Sequence, residues 1–275
     1  MIDTHAHLSM LAQRGIDAEA ILTELFGISG PDAPSAGKLK GIIDISLSPG
    51  DLPARIEAFS RFPRVRFASG LWPYRLSIER RGELVPALEK DIRVAPPGLV
   101  CALGEFGLDH HHSGDEYDGG GDPDLAGERE LMEMQLELAR RLKLPVIIHS
   151  RDAPEETAEI LGRYAGVRGV IHCFSYSGAE VTAFLDMGYF ISFAGNLTYK
   201  NAGAIRDACK VVPVGRLLLE TDCPFLAPVP FRGKPADPGM VEENYKCAAE
   251  LRGTSVAALA EQIAVNVKEL FGVEW

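Results

Sequence analysis

Short apolar runs recur along the chain, separated by longer stretches in which apolar residues return with helical spacing. The runs cover residues 1–4, 40–46, 65–71, 99–104, 145–149, 169–172, 189–193 and 217–221. Within several of them apolar residues follow one another without alternation, as in Gly41-Ile42-Ile43-Asp44-Ile45, Val146-Ile147-Ile148 and Leu217-Leu218-Leu219. That continuity suits parallel strands covered on both faces, whereas half-exposed antiparallel strands alternate apolar with polar positions. Helical spacing marks 51–61, 128–142, 153–164, 178–187, 202–211, 241–251 and 255–271. Strand then helix, eight times over, predicts a (β/α)8 TIM barrel occupying residues 1–275 as a single domain. A doubly wound open sheet is the alternative, since it is built from the same right-handed crossovers. The one irregular insertion, 110–123 with Gly119-Gly120-Gly121, reads as a mobile loop; no Lys-Ser/Thr follows, so it is not a phosphate-cradling loop.

Composition narrows the class. A chain of 275 residues with 46% hydrophobic content can bury a full core. The formal net charge of -11 argues against broad electrostatic adhesion to nucleic acid, which needs a basic face to displace phosphate counterions. Cys101, Cys173, Cys209, Cys223 and Cys247 are odd in number, scattered and without Cys-x-x-Cys spacing, which predicts free thiols in a reducing, cytoplasmic setting. No apolar run is long enough to span a bilayer and no signal core opens the chain, so a soluble, unprocessed protein without a membrane partner is expected. Nothing in the pattern calls for an obligate protein partner, and a monomer is the expectation.

In a barrel the chemistry gathers at the carboxyl ends of the strands, so the polar residues that close each apolar run are the candidates. Strand one closes on His5 and His7, whose two-residue spacing puts both imidazoles on one face. Strand four closes on Glu105, strand five on His149, strand six on His172 and strand eight on Asp222. Four of the chain's seven histidines thus converge with two carboxylates, the other three forming His110-His111-His112. Six donors exceed what one tetrahedral ion needs and suit two divalent ions sharing a carboxylate, for which Glu105 is the choice. Imidazole-rich donors favour zinc, manganese or cobalt over magnesium. Two such ions activate water, so hydrolysis is the expected reaction class.

The segments Ile2-Asp3-Thr4-His5-Ala6-His7-Leu8, Gly104-Glu105-Phe106-Gly107-Leu108-Asp109, Pro145-Val146-Ile147-Ile148-His149-Ser150-Arg151-Asp152, His172-Cys173-Phe174-Ser175 and Glu220-Thr221-Asp222-Cys223-Pro224-Phe225-Leu226-Ala227-Pro228 resemble, in order, the TatD family of metal-dependent deoxyribonucleases. The resemblance extends from residue 1 to about residue 271. It implies a barrel hydrolase that removes nucleotides from DNA 3′ ends, with single-stranded DNA or nucleic-acid ends as substrate. It implies also that His5 and His7 hold one ion and His149 and His172 the other, that Glu105 bridges them, and that Asp222 binds metal and handles the attacking water. A deacylase of aminoacyl-tRNA, or another amide or ester hydrolase, is the alternative, because the same donor set attacks acyl carbon as readily as phosphorus.

Three departures bear on substrate choice. The family's His-Leu-Asp stands here as His7-Leu8-Ser9, and its Gly-Ile-His-Pro-His as Gly70-Leu71-Trp72-Pro73-Tyr74. Its Arg-Gly-Lys-Arg-Asn-Glu-Pro run is Arg232-Gly233-Lys234-Pro235-Ala236-Asp237-Pro238. Arg151, Arg232 and Lys234 are candidates for phosphate contact, although Arg151 beside Asp152 suits a structural ion pair equally and the other two suit a solvated surface. Trp72, with Tyr74, is a candidate for base stacking or for packing. Cys173 and Cys223 read as packed thiols.

Overall fold

The structure, a computed structural model, describes residues 1–27, 38–46, 48–111 and 124–275. Eight strands form one all-parallel sheet in sequence order: β1 (Ile2–Ala6), β2 (Gly41–Ile45), β3 (Val65–Ser69), β4 (Val100–Asp109), β5 (Val146–Arg151), β6 (Gly169–Ile171), β7 (Phe190–Phe193) and β8 (Leu217–Leu219). The sheet curls until β8 meets β1, through an isolated parallel bridge between Ala6 and Cys223 and a bond from His7 N to the Cys223 carbonyl at 2.9 Å. The (β/α)8 barrel is therefore the fold, and the open doubly wound sheet is not.

Helices cover the outside: α1 (Leu8–Leu11), α2 (Ala18–Leu25), α3 (Leu52–Phe59), α4 (Arg75–Glu79), α5 (Arg81–Val94), α6 (Leu125–Leu142), α7 (Pro154–Arg163), α8 (Gly178–Asp186), α9 (Gly203–Val211), α10 (Val241–Leu251) and α11 (Val256–Phe271). The periodicity did not mark α1, α2, α4 or α5. In α5 only Val85 and Leu88 are buried and Pro86 interrupts the pattern, so its apolar stripe is too thin to register in sequence. None of the helices among the described residues is long and apolar enough to cross a membrane. The glycine cluster at 119–121 and His112 lie outside the described residues.

Strand limits move the candidate residues relative to their expected places. β4 runs on to Asp109, so Glu105 sits within the strand, where the register between β4 and β5 slips between Gly104 and Phe106. β6 and β8 stop early, leaving His172 directly after β6 and Asp222 three residues beyond β8. Close backbone approach makes this possible. A Cβ on Gly107 would lie 1.8 Å from the His149 carbonyl oxygen, and one on Gly70 would lie 2.7 Å from that of Glu105. Only glycine lets β3, β4 and β5 draw together at the level of Glu105.

Candidate metal centre

β1 delivers His5 within the strand and His7 just past its end, both buried. A carboxylate beneath them latches the barrel seam. Asp3 accepts hydrogen bonds from His5 N at 3.2 Å, from Thr221 N at 2.9 Å and from Thr221 Oγ1 at 2.6 Å. Burial pushes its carboxyl up to about 8, against the pull of those donors. Asp222 N donates to the His5 carbonyl at 2.9 Å, which carries Asp222 to the same rim. There the backbone of Asp222 is left-handed, with φ +59°, a conformation that aspartate and asparagine tolerate better than most residues.

Glu105 stands at the centre. Its Oε1 lies 2.8 Å from His149 Nδ1 and 2.9 Å from His172 Nε2. Its Oε2 lies 3.3 Å from His5 Nε2 and 3.7 Å from His7 Nε2. Asp222 Oδ1 completes the second group, 3.3 Å from His7 Nε2 and 3.6 Å from His5 Nε2. The six residues named from the sequence thus meet, and each oxygen of one carboxylate faces a different histidine pair. The donor atoms of His5, His7 and Asp222 all lie within 4.8 Å of one another, as do those of His5, Glu105 and His172.

These groups fit divalent ions. Within each pair the facing imidazole nitrogens are 3.2 Å apart, His5 Nε2 to His7 Nε2 and His149 Nδ1 to His172 Nε2. Two nitrogens each about 2.0–2.1 Å from a tetrahedral ion stand roughly 3.3–3.4 Å apart. Two of the far nitrogens are tied down as well: His7 Nδ1 is 3.3 Å from the Ile45 carbonyl and His149 Nε2 is 2.9 Å from Asp109 Oδ2, whereas His172 Nδ1 lies 3.3 Å from Glu220 Oε1 off the line of a good hydrogen bond and His5 Nδ1 is buried without a hydrogen bond. Such outer contacts leave the nitrogen facing the centre available as a lone pair.

The charge balance follows from the same geometry. Burial raises Glu105, but His172, His149 and His5 outweigh it and hold its carboxyl well below the usual range. Burial likewise raises Asp222, and the hydrogen bond from His7 with the fields of His5 and His172 brings it down. His172 is driven well above the ordinary imidazole value because Glu105 and Glu220 overcome its burial. His149 rises for the same reason beside Asp109 and Glu105, and His7 beside Asp222. His5 alone is lowered, by burial and then by repulsion from His172. Two ionised carboxylates and four imidazoles, three of them drawn towards the protonated form, make a set from which cations displace protons.

Residues 2–272 match the family model described as TatD related DNase. The chain belongs to the TatD family. Across 277 residues this TatD-family protein is 33% identical to the uncharacterized metal-dependent hydrolase YcfH of Escherichia coli (strain K12), covering 100% of this chain and 96% of that one. It is 30% identical over 279 residues to the uncharacterized metal-dependent hydrolase YabD of Bacillus subtilis (strain 168), covering 99% of each. The crystal structure of YjjV, a TatD homologue from Escherichia coli K12, superimposes with a TM-score of 0.84 at 30% identity over 99% of this chain and 98% of that one. The TatD-family protein is therefore a metal-dependent hydrolase.

A cavity of about 430 Å³ opens over the centre, and it separates the candidate substrate contacts. Arg151, Trp72 and Tyr74 line it, Trp72 lying 4.4 Å from Tyr74 and 5.4 Å from His149 between ring centroids. Arg232 and Lys234 are exposed and do not line it; the Arg232 guanidinium sits 4.2 Å over the Tyr199 ring instead. Burial pushes the thiols of Cys173 and Cys223 well up, and all five cysteines are free. Asp3, Asp109, Glu128 and Glu220 join the site without having stood out in the sequence. Two signals were present: Asp109 shares strand parity with Glu105, and Glu220 with Asp222.

Proposed function

We propose that this TatD-family hydrolase is a deoxyribonuclease that cleaves phosphodiesters from the 3′ ends of DNA, using two divalent ions per chain. The single observation that carries the two-ion reading is the division of Glu105, Oε1 towards His149 and His172 and Oε2 towards His5 and His7. His5, His7 and Asp222 would hold one ion and His149 and His172 the other, with Glu105 between the two groups. The donors favour manganese or zinc, with magnesium as the hard-ligand alternative. Bound divalent cations supply the Lewis acidity that yields a nucleophile at neutral pH and offsets charge on the transferring phosphoryl group. Asp222, ionised and at the cavity wall, orients the attacking water and accepts its proton. Arg151 binds the scissile phosphate and Trp72 packs against the terminal base.

The family description supports DNA as substrate. The five free thiols support a reducing, cytoplasmic setting. A cavity of about 430 Å³ has room for a terminal nucleotide, which supports action on strand ends. The test runs protein loaded with manganese, zinc or magnesium on end-labelled single-stranded DNA, on aminoacyl-tRNA and on a small phosphodiester. Progressive loss of 3′-terminal nucleotides is expected. Turnover of aminoacyl-tRNA alone would overturn the proposal and leave an acyl hydrolase.

A further inference from the structure

Glu128 is a buried carboxylate with no part in the chemistry above. It stands on the first turn of α6 with 4% of its surface exposed. That turn is fixed in place: Asp124 accepts from Gly127 N at 2.8 Å, and a Cβ on Gly127 would lie 2.6 Å from Ile78 Cγ2 of α4. From there Glu128 Oε1 accepts a hydrogen bond from the backbone N–H of Asp109 at 2.5 Å. Asp109 is itself buried at the end of β4. Its Oδ1 accepts from His111 N at 3.0 Å, and its Oδ2 meets His149 Nε2 at 2.9 Å. The other nitrogen of His149, Nδ1, faces Glu105 and His172.

We propose that Glu128 and Asp109 form a positioning relay that obliges His149 to offer Nδ1 to the metal centre. His5, His7 and His172 all present Nε2 to it. Turning the ring over about its Cβ–Cγ bond changes little in volume but would put Cδ2 where Nδ1 stands and Cε1 against Asp109, so the orientation that aims Nδ1 inward has to be imposed from outside. Asp109 imposes it by accepting a hydrogen bond from Nε2–H. Glu128 imposes it on Asp109 by fixing the backbone from which that carboxylate projects. The relay crosses from helix to strand to ligand, so the packing of α6 sets the orientation of a group on β5. The inference rests on the two-ion reading above.

The test uses the full chain loaded with zinc, with two readouts besides turnover: zinc affinity against a competing chelator and histidine 15N chemical shifts. Glu128→Gln retains an oxygen acceptor for Asp109 N, whereas Glu128→Ala removes it and Asp109→Leu removes the partner of His149 Nε2. Expected for Glu128→Ala and Asp109→Leu is weakening of one zinc by about 10- to 100-fold. His149 Nε2 loses its hydrogen-bonded signature while His5 and His7 keep theirs. Glu128→Gln matches wild type in both. Unchanged affinity and unchanged His149 shifts in Asp109→Leu would overturn the relay even if Glu128→Ala failed to fold. A wild type that bound no zinc would instead overturn the two-ion reading.

Discussion

Asp222→Asn isolates one negative charge without disturbing the site's shape. The side chain keeps its volume, and its oxygen can still lie 3.3 Å from His7 Nε2 and 3.6 Å from His5 Nε2. The backbone at φ +59° suits asparagine as well as aspartate, so no strain is added. The strand leading to it packs through Leu217, Leu218 and Leu219, all fully buried and untouched. What vanishes is the proton acceptor. Asp222 is held ionised because His7, His5 and His172 outweigh its burial, and a carboxamide cannot take a proton at any pH in the working range. Loss of a positioned base costs about 100- to 10,000-fold in rate. At 1.36 kcal/mol per factor of ten this is about 2.7–5.4 kcal/mol of transition-state stabilisation. Because the charge is also paired with His7, melting is read beside turnover to separate loss of the base from loss of stability. The assay is turnover with metal content and thermal melting, on wild type, Asp222→Asn and Asp222→Ala. Asp222→Ala should lose turnover as well and melt lower, because alanine in the left-handed region costs roughly 1–2 kcal/mol. Near-normal turnover by a folded, metal-loaded Asp222→Asn protein would refute the assignment and place the base elsewhere.

Gly107→Ala puts a Cβ 1.8 Å from the His149 carbonyl oxygen, so β4 and β5 must part; a loss of about 1–3 kcal/mol or more is expected, with weaker metal retention, read by melting and elemental analysis. Glu128 has its carboxyl raised to about 7, by burial first and then by Asp109 and Glu156, against the bond from Asp109 N. A raised folded-state value means that its contribution is intact below the unfolded value near 4.3 and is lost as pH rises through about 7. Glu128→Gln cannot ionise, so by pH 8 it should be the more stable protein by about 3–4 kcal/mol, with the two curves converging at pH 4; parallel curves across that window would refute the account. Trp72→His exchanges a cavity wall for a smaller ring, and the ratio of kcat/KM between single-stranded DNA and a small phosphodiester should shift on the order of ten-fold with chemistry retained. Unchanged kcat/KM on every substrate would show that Trp72 only packs.

The eight strands were legible because a parallel strand covered on both faces is apolar throughout, a local property that needs no partner to be recognised. The six donors at the rim were legible for a related reason. His5, His7, Glu105, His149, His172 and Asp222 each interrupt or close an apolar run, and the barrel assigns such positions to one end. Identity and fold thus followed from patterns within a few residues of each other.

Other features depended on contacts distant along the chain. Helix α5 escaped notice because two buried residues hold it in place, with the neighbouring helices α3, α4 and α6 supplying what its own periodicity does not. That Glu105 lies within β4 and not beyond it follows from a register slip against β5, about forty residues away, and from the glycine contacts that allow it. Arg232 and Lys234 carried charge suited to a phosphate, but where their loop lies is settled by Tyr199 and its neighbours, and it lies outside the cavity. The division of Glu105 between two histidine pairs, the latch at Asp3 and the chain from Glu128 through Asp109 to His149 join residues from different strands and helices. A sequence states which donors a chain owns and on which end of a strand they fall; which atom of each faces which partner depends on separations of an ångström or less, and only the packed barrel determines those.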